Sequence, residues 1–252
     1  MPTRTRFEFM LTLECHWGCA DCCRGLDVNY PKDSHVTIDQ ATRFIQQLKD
    51  ERVKVSRLKV NGGDPVHNPD FEEIVKMFVA ETPHLFDKIK VQTAYPERAI
   101  RAKYNLPESV HLRCEPVDDK NYKAHHVPWM VSPADTGILG PNDPPPLGSS
   151  ATKKPCELQR RCGRSFERWG FVGCAQEAVL GRMLGIRAHS ATYKHWANPE
   201  ICKHCPMCLG PAKAKDLQTR ADKGEFPRVS KVFDTVGLKM VYDTMPETHE
   251  PW

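Results

Sequence analysis

The hydrophobic pattern of the first 115 residues switches repeatedly between a period of two and a period near 3.6. Stripes of apolar residues at helical spacing follow Thr37, Asn68 and Pro96, which are residue types that often precede or begin a helix. Short apolar or alternating runs predict strands at 7–13, 57–60, 89–93 and 110–114, with a fifth strand expected near 127–131. Strands that alternate with helices are typical of parallel sheets, so the sequence predicts an α/β fold.

A change in composition after residue 132 divides the chain. The next 23 residues hold six prolines and three glycines, which predicts a linker without helix or strand. Beyond it, 165–168 and 171–173 flank Trp169-Gly170 as a predicted hairpin, and 175–184 is predicted to be a helix. The predicted divisions are a core at 1–132, the linker at 133–155, a cysteine-rich domain at 156–210 and a tail at 211–252.

The composition of the chain mainly excludes classes of protein. The chain has 252 residues, of which 40% are hydrophobic and 27% charged, as in ordinary globular proteins. No apolar stretch approaches the roughly 18 residues of a membrane span, and the first residues lack the apolar segment of a secretory signal. The net charge of +4 gives little support to a nucleic-acid partner. We therefore expect a cytoplasmic protein, whose eleven cysteines favour metal or cluster ligation over disulfides.

Three cysteines with C-x3-C-x2-C spacing follow the first predicted strand directly: Cys15, Cys19 and Cys22. Three thiolates on one tight loop can hold three irons of a 4Fe–4S cluster and leave the fourth iron open to a ligand. Zinc knuckles, in contrast, are usually built on C-x2-C pairs. Cys23 follows the third cysteine without adding to the spacing, and we interpret it as a spare buried thiol. The loop therefore predicts an iron–sulfur cluster.

A second motif, Asn61-Gly62-Gly63-Asp64-Pro65, follows the second predicted strand. Two glycines let a backbone approach a ligand closely, and polar groups at a strand end can bind an ammonium group. Taken alone, the segment is an ordinary turn. Its place about forty residues after the cysteine loop, at the end of the next strand, favours a ligand site.

Together the two motifs resemble those of the radical S-adenosylmethionine (radical SAM) enzymes. The resemblance implies that Cys15, Cys19 and Cys22 bind the catalytic 4Fe–4S cluster, and that the methionine amine of S-adenosylmethionine is bound by Gly62, Gly63, Asp64 and Pro65. Asp64 stands where the family usually has Glu, and Asp21 stands where it has an aromatic residue near the adenine. Thr93, which ends the third predicted strand, is a further candidate contact of the cofactor. The implied fold is an abbreviated partial (βα) barrel of four or five units, because the family's six do not fit before residue 150.

The second half of the chain carries another cysteine set: Cys156, Cys162, Cys174, Cys202, Cys205 and Cys208. Its arrangement around the predicted hairpin resembles the auxiliary-cluster appendage, called a twitch or SPASM-like domain, of some radical SAM enzymes. The resemblance implies a second 4Fe–4S cluster bound by Cys162, Cys174, Cys202 and Cys205, with Cys156 and Cys208 as alternates. A structural zinc site is the alternative, because zinc also uses C-x2-C pairs.

The implied activity is that of a radical SAM oxidoreductase. Such an enzyme cleaves S-adenosylmethionine to a 5′-deoxyadenosyl radical, removes a substrate hydrogen and passes an electron to the auxiliary cluster, while a flavodoxin or ferredoxin supplies reducing electrons. Catalytic candidates follow the fourth strand: His125, His126 and Glu115, although a His pair in a polar loop is more often merely solvated. The short segment before Cys15 holds no leader-recognition domain, which favours a small-molecule substrate such as a sugar, cyclitol or nucleotide derivative.

Alternatives remain open at the level of sequence. One is a radical SAM enzyme that modifies a peptide or an RNA, with recognition by a separate protein. Another is a redox-neutral mutase or epimerase whose second cluster is structural. A third, from a different class, is a non-catalytic zinc or iron–sulfur adaptor module.

Overall fold

A six-stranded, open sheet is the centre of the fold. The computed structural model describes residues 5–17, 34–114, 132–139, 163–193, 198–206, 209 and 211–225. The strands are β1 (Thr5–Thr12), β2 (Val55–Gly62), β3 (Ile89–Thr93), β4 (His111–Cys114), β5 (Arg164–Glu167) and β6 (Gly170–Val172). Their order across the sheet is β4-β3-β2-β1-β5-β6, and every pair is parallel except the β5–β6 hairpin. The α/β prediction is confirmed.

The helices follow the predicted alternation in the first half of the chain. Those described are α1 (Ile38–Asp50), α2 (Phe71–Ala80), α3 (Glu97–Lys103), α4 (Ala175–Leu184), α5 (Pro199–Cys202) and α6 (Pro211–Asp222). The first three each connect two neighbouring parallel strands. α1 begins with a capping box, because the hydroxyl of Thr37 accepts from the Gln40 amide and the Gln40 side chain accepts from the Thr37 amide.

The two faces of the sheet differ in character. Phe7 and Phe9 of β1 pack against Phe44 of α1, with ring centroids 5.6 and 5.0 Å apart, inside one core that also includes apolar residues of α2 and α3. Side chains alternate along a strand, so the residues between these point to the opposite face. There Glu8 and Lys59 lie side by side on β1 and β2, with 3.0 Å between carboxylate oxygen and ammonium nitrogen. Helices α1, α2 and α3 thus cover one face, whereas the other carries Glu8 and Lys59 and packs against α4 through Met10 and Glu167.

The hairpin predicted after the linker is confirmed, but its place in the sheet was not foreseen. β5 lies along the free edge of β1, with Glu8 opposite Ser165 and Phe9 opposite Phe166. The Ser165 hydroxyl donates to the Glu8 carbonyl at 3.0 Å, and the rings of Phe9 and Phe166 are stacked 5.1 Å apart. The cysteine-rich half of the chain therefore contributes a strand to the core sheet.

Two elements lie where the sequence predicted no helix. Pro133–Asp135 at the start of the predicted linker is one turn of 3₁₀ helix, and α6 lies in the segment predicted as a tail. The two are joined, because Arg220 of α6 donates to the Thr136 carbonyl at 3.0 Å. The fifth strand expected near 127–131 lies outside the described residues. Within the described part of the chain, no helix combines the length and apolarity needed to cross a bilayer.

Candidate functional site

The carboxyl ends of β1, β2 and β3 meet at one edge of the sheet, here called the carboxyl edge. Thr12 ends β1, Gly62 ends β2 and Thr93 ends β3. Cys15 follows β1 by three residues, so the structure brings three separate parts of the predicted site to this edge. Crevices outside the carboxyl ends of parallel strands are where open α/β sheets commonly bind ligands.

The Gly-Gly-Asp-Pro segment (residues 62–65) is hydrogen-bonded to the chain that leads into Cys15. The Gly63 amide donates to the Thr12 carbonyl at 2.7 Å, and the Asp64 amide donates to the Glu14 carbonyl at 2.9 Å. A Cβ at Gly62 or Gly63 would lie 2.1 Å from a carbonyl oxygen of Thr12 or Glu14. The glycines are thus required by the close approach of two chain segments, in addition to any approach to a ligand.

Asp64 connects three segments at the carboxyl edge. Its side chain is 1% exposed and accepts hydrogen bonds from the Thr93 hydroxyl at 2.7 Å, the Ala94 amide at 3.0 Å and the Trp17 indole at 3.1 Å. Two of these donors bind Oδ2, and only the Thr93 hydroxyl binds Oδ1. A carboxylate offers about four lone-pair sites. Among the described residues, Oδ1 therefore keeps one acceptor site, and Thr93 acts by orienting Asp64.

Asn61 provides a second acceptor beside the glycines. The residue is 5% exposed, and its Oδ1 atom has no hydrogen-bond partner within the described part of the chain. A buried amide oxygen without a donor costs about 1–3 kcal/mol, so a ligand that donates a hydrogen bond there would be stabilised. Asn61 was not predicted to be a site residue. A polar residue directly before two glycines at the end of a strand could have indicated it.

A group of histidines around Glu14 was also not foreseen. His16 Nε2 lies 3.0 Å from one carboxylate oxygen of Glu14, and His35 Nε2 lies 3.3 Å from the other. The rings of His16 and His67 are 4.1 Å apart. Burial lowers the pKa of His67, and the neighbouring His16 lowers it further, so the neutral imidazole is favoured. These residues come from separate segments of the chain, and the hydrophobic pattern of the sequence does not indicate that they lie close together.

The second cysteine set is partly described. Cys174 directly precedes α4, Cys202 ends α5 and Cys205 follows it, and all three are buried. Cys205 belongs to an apolar cluster that also contains Val172 of the hairpin and several residues of α4. Cys174 lies at the amino end of a ten-residue helix, where the helix dipole favours thiolates. The three described thiols of this set are therefore buried, and Cys205 packs with the hairpin and α4.

The two cysteine segments approach each other through a small apolar cluster. Leu13, two residues before Cys15, shares this cluster with Ala175, the residue after Cys174. Met10 and Trp169 complete it. The chain around Cys15 and the chain around Cys174 are therefore packed together at the carboxyl edge.

Other predicted site residues lie outside the described part of the chain, and for them the predictions stand untested. They are Cys19, Cys22, Cys23, Glu115, His125, His126, Cys156, Cys162 and Cys208. Cys114, which ends β4, is described and half-buried. Burial raises the pKa of its thiol, and the charge of Glu97 raises it further, so the protonated thiol is favoured in the absence of a metal.

No family model matches the chain, and no curated protein matches it in sequence.

Proposed function

We propose that the protein is a radical SAM oxidoreductase that acts on a small molecule. The observation that carries the proposal is the pair of backbone hydrogen bonds from Gly63 and Asp64 to Thr12 and Glu14. They hold the Gly-Gly-Asp-Pro segment against the chain that enters the cysteine loop at Cys15. In the proposed enzyme this contact would keep the cofactor's amine site close to the cluster.

The residues present fit the proposed cofactors. Cys15, Cys19 and Cys22 would bind a 4Fe–4S cluster that leaves one iron for S-adenosylmethionine. Among the described residues, Asn61 Oδ1 has no donor and Asp64 Oδ1 keeps one acceptor site, and both atoms would accept hydrogens of the methionine ammonium. Thr93 would keep Asp64 in place through its 2.7 Å hydrogen bond.

When bound, these groups would supply a 5′-deoxyadenosyl radical and, at the second cysteine set, an acceptor for one electron. The substrate would lose one hydrogen atom to the deoxyadenosyl group, then one electron to the acceptor and one proton to solvent, which is a net two-electron oxidation. A flavodoxin- or ferredoxin-type donor would provide the electron that initiates each turnover. The packing of Leu13 against Ala175 supports this division of roles, since it brings the two cysteine segments together.

On the face of the sheet opposite α1, α2 and α3, charged side chains of three neighbouring strands would suit a polar substrate. Glu8 and Lys59 point to this face, and Lys90 lies beside Lys59 on the next strand. Charged groups in such positions can bind hydroxyl, carboxylate or phosphate groups. We therefore favour a sugar, cyclitol or nucleotide derivative as substrate.

Cofactor cleavage by purified, anaerobically reconstituted protein tests the proposal. We expect dithionite-reduced wild-type protein to convert S-adenosylmethionine to 5′-deoxyadenosine without added substrate. The Cys15→Ala/Cys19→Ala/Cys22→Ala variant should form none, whereas the Cys114→Ala control should match the wild type. Equal cleavage by the triple variant would refute the proposal.

Metal content tests the second cluster against structural zinc. We expect about eight irons per chain in the wild type and about four in the Cys202→Ser/Cys205→Ser variant. That variant should still cleave S-adenosylmethionine. About four irons and one zinc in the wild type would contradict the second cluster.

A further inference from the structure

A carboxylate and two imidazoles converge beside the Gly-Gly-Asp-Pro segment. One ligand atom each from Glu14, His16 and His67 lies within 4.8 Å of the other two. Within the described part of the chain, no other three potential ligands of this kind come so close. We propose that these three residues bind a single divalent metal ion such as Zn²⁺ or Fe²⁺. The site uses nitrogen and oxygen donors and is distinct from both cysteine sets.

The donor set is chemically suited to such an ion. Two imidazole nitrogens and one carboxylate oxygen are a common ligand set of catalytic Zn²⁺ and of non-haem Fe²⁺. Metal–ligand bonds of about 2.0–2.2 Å require only a small contraction of the group. Three protein ligands leave at least one coordination position open. The His16 side chain is 65% exposed, so this position is accessible to an oxygen ligand from solvent or substrate.

The backbone holds the three ligands together before any metal arrives. The Asp64 amide donates to the Glu14 carbonyl at 2.9 Å, and the 3₁₀ turn Pro65–His67 follows Asp64 directly. This turn places His67 beside His16, although 51 residues separate them in the sequence. The ligands are thus positioned by backbone contacts that do not depend on the metal, which reduces the ordering cost of binding.

Surrounding groups orient the ligands as they do in known metal sites. His35 Nε2 lies 3.3 Å from the Glu14 carboxylate, and the Tyr95 hydroxyl lies 3.3 Å from His67 Nε2. Such outer contacts fix the orientation of ligating side chains. The Nδ1 atom of His67 is buried, and the His67 ring lies 4.1 Å from that of His16.

The metal site goes beyond the proposed function and does not depend on it. Glu14 and His16 flank Cys15. Their carboxylate and imidazole groups, however, favour different metals from those that soft thiolates favour. The full-length Cys15→Ala/Cys19→Ala/Cys22→Ala variant can therefore report on this site without the first cysteine set.

Cobalt binding to that variant tests the site. After chelation and dialysis, Co²⁺ is added anaerobically and followed by absorption and by equilibrium dialysis. We expect one equivalent with weak d–d bands and no sulfur-to-cobalt charge transfer, which separates it from any ion on the second cysteine set. Adding His16→Ala and His67→Ala should remove this equivalent or weaken its binding at least 100-fold. The matched control adds His84→Ala and His111→Ala, two exposed histidines elsewhere, and should bind normally.

Milder changes keep the test decisive if the double alanine variant folds poorly. His16→Gln, His67→Gln and Glu14→Gln retain polar side chains, and each should weaken Co²⁺ binding at least tenfold with an unchanged circular-dichroism spectrum. Undiminished binding in all of these variants would overturn the metal site. Loss of the metal site as a proposal would not change the expected cleavage of S-adenosylmethionine by the wild type. Conversely, a wild type that fails to cleave S-adenosylmethionine should still bind cobalt, so the two proposals can be refuted separately.

Discussion

Asp64 illustrates how a single residue can hold the candidate site together. Its buried carboxylate accepts from Trp17, Thr93 and Ala94, which belong to the ends of two different strand–loop segments. A carboxylate can accept all three bonds at once, whereas a hydroxyl or an apolar side chain cannot. Asp64 therefore positions the site in addition to any contact with a cofactor.

Replacing Asp64 should be costly to stability. Asp64→Ala removes the acceptor of the buried Thr93 hydroxyl and of the half-buried N–H groups of Trp17 and Ala94, and we expect the free energy of unfolding to fall by about 3 kcal/mol. Asp70→Ala is the matched control, because Asp70 is partly exposed and makes no capping hydrogen bond with its side chain. The control should change stability by less than about 0.5 kcal/mol. Urea unfolding followed by circular dichroism measures both, and equal losses would contradict the role given to Asp64.

Gly63 should not tolerate a side chain. Its Cβ would lie 2.1 Å from the Glu14 carbonyl oxygen, so Gly63→Ala must separate the Gly-Gly-Asp-Pro segment from the entry to the cysteine loop. We expect a loss of more than about 2 kcal/mol in unfolding free energy. Gly224→Ala meets no atom within 4 Å, although its φ of +73° is unfavourable for alanine, and it should cost about 1 kcal/mol. If Gly63→Ala cost no more than Gly224→Ala, the close contact described here would be wrong.

The sequence located several site residues, because each follows a recognisable strand. Cys15, the Gly-Gly-Asp-Pro segment and Thr93 all follow or end such strands, and parallel strands bring their carboxyl ends to one edge. The hydrogen bonds of Asp64, the unpartnered oxygen of Asn61 and the position of His67 were not predictable. They depend on side-chain directions and on a 3₁₀ turn, and hydrophobic periodicity carries no information on either.

At the scale of elements, α1 shows what a clear pattern can predict. Its buried residues Ala41, Phe44, Ile45 and Leu48 are those of the apolar stripe seen in the sequence. α6 was missed because its sequence is mostly polar, with Leu217 the fully buried apolar residue that joins it to Leu209 and Ile138. β5 is only four residues long, and nothing in its composition identifies β1 as its partner.

The capping box of α1 should contribute measurably to stability. Thr37→Ala removes the acceptor of the Gln40 amide, and we expect a loss of about 1 kcal/mol. Gln40→Ala should cost more, because the Gln40 side-chain amide also donates to the Arg168 carbonyl in the hairpin turn at 2.7 Å. Thr42→Ala is a control within the same helix, since its hydroxyl bonds only the Ile38 carbonyl one turn earlier. Chemical denaturation ranks the three, and Gln40→Ala matching Thr42→Ala would contradict the link between α1 and the hairpin.

At the scale of the whole molecule, β1 is an interior strand that depends on both halves of the chain. β2 covers one of its edges from the first half, and β5 covers the other from the second. Phe166 of β5 also fills the core beside Phe9 and Phe44. The domain boundaries predicted from the sequence therefore assign β1 and β5 to different domains, although the two strands are neighbours in one sheet.

A truncated chain should reveal this dependence. Residues 1–139 alone would leave the β1 edge unpaired and the core without Phe166, so we expect the fragment to aggregate on expression. Co-expression with residues 156–252 should recover soluble protein, because the second fragment supplies β5. Light scattering and the soluble fraction report the outcome. A soluble, monomeric 1–139 fragment with cooperative unfolding would contradict the structural role of β5.

The pairing of β1 with β5 also affects how the chain folds during translation. β1 is complete at residue 12, yet its partner strand ends at residue 167. At translation rates of about 5–20 residues per second, β5 is complete only roughly 8–30 s after β1, so one edge of β1 stays unpaired for that time. During that interval the nascent chain exposes the open backbone edge of β1 and the side of the Phe9 ring that Phe166 later covers, and chaperones bind surfaces of this kind. The protein's yield in a cell is thus expected to depend on how fast the intervening 151 residues are translated.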